Sequence, residues 1–330
     1  MPGRRPGSCR RKPAEARVLQ RILVIKLGAL GDFVLAFAPF AAIRAHHPEA
    51  HITLLTTRPF LGLASASPWF DTVAIDTRPA WWDLRGLARL RRLLRGHDFT
   101  FDLQTSGRSS RYFLLAGRPP WSGIAAGCSH PDTDPERDRL HTRVRQAGQL
   151  ARAGIAEVPG PDLSWLARGG PVLPAPYALL VPGAAPHRPA KRWPAERFGA
   201  LARSLEARGL RPVVIGSAAE APLAAEIGRH CPSALDLTGR TTLLDLGGLA
   251  GRAALAVGND TGPMHLAAAM GCPAVVLFSH ESDPALTAPA GPVPELVQVL
   301  RVPDLSTLPV AAVEAGVAAM VAARVATRPG

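Results

Sequence analysis

The stretch Gly258-Asn259-Asp260-Thr261-Gly262-Pro263-Met264-His265-Leu266-Ala267-Ala268-Ala269-Met270-Gly271-Cys272-Pro273-Ala274-Val275-Val276-Leu277-Phe278 decides the fold. Residues 253–257 ahead of it are short and apolar and predict a buried strand. Pro263 suits the first position of a helix, where its missing N–H would be unpaired anyway. Gly271 and Pro273 end that helix, and 274–278 reads as the next buried strand. Asp260, Thr261 and Gly262 therefore fall on a strand-to-helix turn at the carboxyl edge of a parallel sheet, where open α/β sheets bind ligands. Free N–H groups and the positive dipole end suit a phosphate there. Thr261 adds a hydroxyl, and Gly262 lets a ligand approach the backbone. The local pattern equally allows Asp260 and Thr261 to act only as helix caps.

Working outward, the same alternation recurs. Residues 177–181, 211–215, 194–208, 220–230 and 243–251 read as strands and helices of one α/β unit. Gly169-Gly170-Pro171-Val172-Leu173-Pro174-Ala175-Pro176 has linker chemistry. Before it, 21–27 (RILVIKL) predicts a buried strand, Gly28-Ala29-Leu30-Gly31-Asp32 a turn, and 33–46 a helix disturbed at Pro39. Strands at 51–57, near 73–75 and at 99–103, and helices at 83–95, 109–116 and 140–153, complete a first unit, with 131–139 as loop. In the helix at 83–95, Leu84, Leu87, Leu90 and Leu94 share one face, while Arg85, Arg89 and Arg92 share another. That charged face is either solvated or a dock for anionic lipid. The fold class is thus α/β: two Rossmann-like, doubly wound domains facing a central cleft. A basic tail spans 1–20, an N-terminal domain 21–170 and a C-terminal domain 171–330, with a last helix able to pack back on the N-terminal domain. The first turn lacks the G-x-G-x-x-G spacing, and no acid ends the second strand, which weakens a nicotinamide reading.

The 330 residues carry a formal net charge of +12, mostly from arginine, which points to an anionic partner. Cys9, Cys128, Cys231 and Cys272 stand far apart, with no metal-ligand spacing, and read as reduced thiols. No uninterrupted apolar run approaches the roughly 18 residues of a membrane span. No recognition motif for nucleic acid accompanies the charge.

Four motifs in order carry a family resemblance: Ile22-Leu23-Val24-Ile25-Lys26 followed by Gly31-Asp32; Asp102-Leu103-Gln104; Lys191-Arg192-Trp193-Pro194-Ala195-Glu196-Arg197-Phe198; and the stretch from Asn259 to Phe278. The chain resembles glycosyltransferase family 9, the ADP-heptose:lipopolysaccharide heptosyltransferases. The resemblance implies a GT-B architecture and inverting, metal-independent transfer of a heptose from ADP-heptose to a lipid-linked saccharide acceptor. It also implies a cytoplasmic enzyme, peripheral on the inner face of the bacterial inner membrane, with no cofactor beyond its nucleotide-sugar donor. Asp32 matches the proposed base and reads as the one carboxylate on the first sheet's ligand edge. Gly28, Gly31 and Gln104 form the expected acceptor-side loop. Lys191 matches a phosphate-binding lysine and Glu220 a ribose-binding glutamate. Gly183, Ser217, Asp260, Thr261 and Gly262 complete the donor set. Each has a plainer reading: Asp32 as a cap, Lys191 as a surface lysine, Glu220 as a first-turn acid. Arg188, Arg192 and His187 are secondary candidates, and His265 reads as packing. The family often follows its last buried strand with Gly-Pro-Thr-Asp-Pro; here Ser279-His280-Glu281-Ser282-Asp283-Pro284 stands instead, keeping only Asp-Pro.

Two other functions fit the same residues. A nucleotide-sugar epimerase or hydrolase on this scaffold would share the phosphate site and need no acceptor. A non-catalytic protein binding anionic glycolipid would survive loss of Asp32.

Overall fold

The segments RILVI and YALLV are buried along their length, apart from Arg21, as strands covered by helices on both faces must be. Each seeds one sheet. The structure is a computed structural model that describes residues 19–174 and 176–327; most of the tail expected over 1–20, with Cys9, lies outside them.

The first unit runs β1 (Arg21–Ile25), α1 (Leu30–Leu35), α2 (Phe37–His46), β2 (His51–Thr56), α3 (Leu61–Ala66), β3 (Thr72–Ile75), α4 (Leu84–Leu94), β4 (Phe99–Asp102), α5 (Gly107–Ala116), β5 (Trp121–Gly123), β6 (His130–Pro131), α6 (Thr142–Arg152) and α7 (Ser164–Ala167). The second runs β7 (Tyr177–Val181), α8 (Ala195–Ala207), β8 (Arg211–Val214), α9 (Ala221–His230), β9 (Leu235–Asp236), α10 (Leu243–Arg252), β10 (Leu255–Asn259), α11 (Gly262–Ala269), β11 (Ala274–Phe278), α12 (Pro284–Thr287), β12 (Val297–Arg301) and α13 (Val310–Thr327). The sheet orders are β3-β2-β1-β4-β5-β6 and β12-β11-β10-β7-β8-β9, the same winding twice. All pairings are parallel, with Ile25 beside Asp102 and Gly258 beside Val181. The winding reverses between β1 and β4 and between β7 and β10, and ligands of such sheets bind at those switch points.

Several expectations change. The first helix is broken at Ala36 rather than at Pro39, because Pro39 falls in the first turn of α2, where its missing N–H costs nothing. Helix α11 starts at Gly262, with Pro263 second. Strands β5, β6, β9 and β12 were not anticipated; in the first three, two or three residues are too few to show a period. Leu84 leaves the apolar face of α4 and stands 77% exposed, while Leu90 and Leu94 are buried.

The glycines before β7 serve close packing, and Gly170 also takes a left-handed φ of 75°. A β-carbon on Gly169 or Gly170 would run into the backbone of Leu244 or Asp245, and the Arg252 guanidinium donates to the carbonyls of Ala167, Gly169 and Pro171 at 2.9, 2.9 and 3.1 Å. Just ahead, α7 rivets the two units. Trp165 packs on Trp69 and Phe37, with ring centroids 5.6 and 6.5 Å apart, while Leu166 abuts Gly247 of α10. One apolar core is therefore continuous from Phe33 and Phe37 to Leu246 and Met264.

Helix α13 packs on the second sheet through Val313, Val317 and Met320, and Arg324 holds the carbonyl of Ala253 at 2.8 Å. It does not turn back to the first unit as allowed above. By length and composition α13 is apolar enough to cross a membrane, although Glu314 and Arg324 interrupt its apolar run.

Candidate active site

Both switch points converge on one place. Gly31, in the first turn of α1, lies against His265 of α11, and Gly262 lies against Leu30. A β-carbon on either would collide, so glycine at both positions lets the two helix starts meet. On the other side of α1, α6 reaches the second unit: Thr142 Oγ1 donates to the Leu286 carbonyl at 3.2 Å, and His141 Nε2 lies 3.0 Å from the Ala288 carbonyl.

On the second unit, the Asp260 carboxylate is buried and fully engaged. Its Oδ2 accepts from Lys191 Nζ at 2.5 Å and from Ser282 Oγ at 2.7 Å, and its Oδ1 lies 3.8 Å from His265 Nε2. Burial alone would raise this carboxyl; His265, Lys191 and Ser282 overcome it and hold it at about 2. Asp260 is therefore no helix cap, and Thr261 makes no side-chain cap bond either: its hydroxyl donates to the Asn259 carbonyl at 3.2 Å. At the start of α11 Pro263 has no N–H, and Met264 and His265 donate theirs to the Thr261 carbonyl at 3.0 and 3.4 Å, so among the described residues the N–H groups left for an anion are those of Thr261 and Gly262. Asp260 itself is an acceptor for cations and hydroxyls, and here it holds Lys191 and Ser282.

Asn259, which sequence reading passed over, ties both ends of the connection between β7 and α8 to the end of β10. Its Oδ1 accepts from the Trp193 N–H at 3.0 Å, and its Nδ2 donates to the carbonyls of Pro182 and Gly183 at 2.8 and 3.3 Å. Trp193 is buried and donates its indole N–H to the Leu308 carbonyl at 2.9 Å, which anchors the Lys191 loop. Gly183 faces the Glu220 carboxyl, and a β-carbon there would collide with it. Glu220 Oε2 accepts from the Ser217 N–H at 2.6 Å and from its hydroxyl at 3.0 Å. Gly183, Ser217 and Glu220 thus form one cluster at the ends of β7 and β8. Arg192 Nη2 donates to the Ala184 carbonyl at 3.0 Å, Arg188 lies 3.9 Å from Glu281, and His187 is exposed.

On the first unit, Asp32 is not the one carboxylate of the edge. Asp76 and Asp102 share it. Asp76 accepts from the Tyr112 hydroxyl at 2.7 Å. Asp102 is fully buried; burial pushes its carboxyl up to about 6, against the N–H groups of Gln104 and Thr105, each 3.1 Å from Oδ1. Thr105 takes a left-handed φ of 44° to make that bond. Only Asp32 is half exposed and makes no hydrogen bond or ion pair with the described residues. The N-cap of α1 is Ala29, with no side-chain bond, so Asp32 does not cap the helix.

Asp32 lines a cavity of about 150 Å³ with Lys26, Gln104, Thr105, Arg137, Thr142, Arg145 and Gln146. Lys26 is buried and donates to the Leu103 carbonyl at 3.0 Å; burial pulls its ammonium down to about 8, against the attraction of Asp32 and Asp102. Arg137 is held by Asp132 at 2.6 Å, and Arg145 donates to Thr142 Oγ1 at 2.8 Å. Both amide atoms of Gln146 are buried without a partner among the described residues. Gln104 accepts the Leu27 N–H at 2.8 Å, which fixes the turn over Gly28, whose φ of 120° an L side chain rarely adopts. The cavity holds three cations and an unsatisfied amide around one free carboxylate. That chemistry suits a polar, negatively charged group whose hydroxyl meets Asp32. Lys26 ends the first motif of the resemblance, but Arg137, Arg145 and Gln146 carried no signal in sequence, because they lie far from Asp32 in the chain and join the cavity only after folding.

Comparison with known proteins agrees with this architecture. Residues 132–309, more than half of the chain, match the model of glycosyltransferase family 9 (heptosyltransferase). The chain is 33% identical over 118 residues to lipooligosaccharide heptosyltransferase 2 of Haemophilus influenzae, a match spanning 34% of each protein. It is 22% identical over 298 residues to the lipopolysaccharide core heptosyltransferase OpsX of the same organism, 84% of each. The Escherichia coli heptosyltransferase WaaC with ADP superposes with a TM-score of 0.76 at 20% identity, covering 91% of this chain and 99% of that one. With two parallel sheets meeting at their switch points in the GT-B arrangement, the chain belongs to glycosyltransferase family 9 (heptosyltransferase).

Proposed function

We propose that the chain moves a heptose or related sugar from ADP-heptose to a lipopolysaccharide core or other glycolipid acceptor, by inversion and without a metal ion. The observation that carries the reading is the continuity from Asp32, through Gly31 and His265, to Asp260 and Lys191. The acceptor hydroxyl oxygen attacks the anomeric carbon from the face opposite the diphosphate. Asp32 takes the hydroxyl proton as the new bond forms. The bond from the anomeric carbon to the diphosphate oxygen breaks, and its electron pair leaves with the diphosphate. Lys191 and the N–H groups at the start of α11 meet the charge that develops there. Glu220 and Ser217 are suited to the ribose, beside Gly183. Donor and acceptor are supported by the names of the Haemophilus relatives and by the ADP held by WaaC. A glycolipid acceptor implies work at the inner membrane's cytoplasmic face, with no part for nucleic acid.

Purified chain incubated with ADP-heptose and a glycolipid acceptor tests this by mass spectrometry of the acceptor and release of ADP. Heptose addition, with ADP release that depends on acceptor, is expected. ADP release at the same rate without acceptor would overturn transfer in favour of a hydrolase or epimerase.

A further inference from the structure

An apolar and basic face lies at the start of α4, outside the cavity beside Asp32. Trp82 is 85% exposed and Leu84 77% exposed. Trp81, beside them, is flanked by the guanidinium carbons of Arg108 and Arg111, 5.9 and 5.2 Å from its ring centroid. Arg85, Arg89 and Arg92 follow along the exposed side of α4, and neither α4 nor α5 contains an acid. A solvated helix face accounts for the arginines but leaves exposed tryptophan and leucine without a reason. Tryptophan favours the headgroup level of a bilayer, and clustered arginine favours anionic lipid. The face also lies near the site. The loop carrying Trp81 and Trp82 leaves the carboxyl end of β3, and within that loop Arg78 donates to the Leu27 carbonyl at 3.2 Å, in the turn that leads to Asp32.

We infer that this face docks on an anionic phospholipid bilayer, with Trp82 and Leu84 entering the headgroup region and Arg85, Arg89 and Arg92 meeting lipid phosphates. The inference rests on the glycolipid reading only for its purpose: the saccharide of a bilayer-anchored acceptor would enter beside Asp32 from this rim. Binding itself needs no acceptor.

The test is sedimentation of the full chain with vesicles of phosphatidylcholine, alone or mixed with phosphatidylglycerol, at low and high salt. The mixed vesicles should bind the chain at low salt and release it as salt rises. Replacing Arg85, Arg89 and Arg92 together by Gln should weaken partitioning on the order of 100-fold. Trp82→Ser with Leu84→Ser should weaken it several-fold and remove tryptophan quenching by bromine-labelled acyl chains. All five side chains are exposed, and circular dichroism confirms that the variants fold. Equal binding to neutral and mixed vesicles, or parental binding by either variant, overturns the inference. These vesicles contain neither donor nor acceptor, so such a failure leaves the transferase reading standing, while loss of transfer with vesicle binding intact would count against the transferase reading alone.

Discussion

A β-carbon on Gly31 would stand 2.9 Å from Nε2 of His265, so the turn after β1 and the helix after β10 touch through a residue that has no side chain. His265 in turn lies 3.8 Å from the Asp260 carboxylate that holds Lys191. The spacing between the two halves of the site is thus set where Gly31 meets His265 and where Gly262 meets Leu30.

Gly31→Ala should force the helix starts apart. Overpacking of this kind costs about 1–3 kcal/mol, and a displacement of about 1 Å at a reacting pair can cost roughly 100-fold in rate. A lowered melting temperature with kcat/KM reduced by about that factor is expected. Adding His265→Ala should recover stability by removing the ring. Parental kinetics in Gly31→Ala would show that the contact does not set the register.

Asp32→Asn should fold as the parent does, since Asp32 neither caps α1 nor pairs with the described residues. An amide cannot take the acceptor's proton, so kcat should fall by about 100- to 10,000-fold. Affinity for the donor nucleotide, measured by calorimetry, should hold. Transfer at close to the parental rate would place the base elsewhere.

Lys191→Ala leaves the Asp260 carboxylate buried with Ser282 and His265 alone. Breaking a buried pair from one side costs about 3 kcal/mol, and adding Asp260→Asn should restore most of that. Donor KM should stay raised in both variants, which separates binding from stability. The same pair sets an acid window. The folded Asp260 carboxyl sits at about 2, below its ordinary 3.8. Its contribution, roughly 2 kcal/mol, is therefore fully present above about pH 4 and is lost as pH falls towards 2. Denaturant unfolding across that range should show the loss in the parent and a flatter profile in Asp260→Asn. A parental slope in the variant would assign the window to other carboxylates.

Much of this was legible from local pattern. The apolar runs of β1, β7, β10 and β11 and the glycine turns after them identify two doubly wound sheets, because a strand buried on both faces and a glycine turn leave a periodic trace in the chain itself. The same traces place Asp32 and the Asp260–Gly262 turn at sheet edges. The sequence could not say what each carboxylate there does. Asp32, Asp76 and Asp102 all stand on one edge, and only burial and partners distinguish them: Tyr112 takes one, the interior holds another up to about 6, and one stays free.

The sequence by itself determined the architecture, the family and the two turns that carry Asp32 and the start of α11, since these depend on neighbours within a few residues. Tertiary structure alone decided that Lys191 and Ser282 are both bound to Asp260, that Asn259 holds both ends of the connection between β7 and α8, and that Lys26, Arg137, Arg145 and Gln146 surround Asp32. Apart from Lys26, those groups lie tens of residues in the chain from the ones they meet. Their charges and hydrogen bonds act over a few ångströms, so they can influence one another only once the two sheets have wound and met at their switch points.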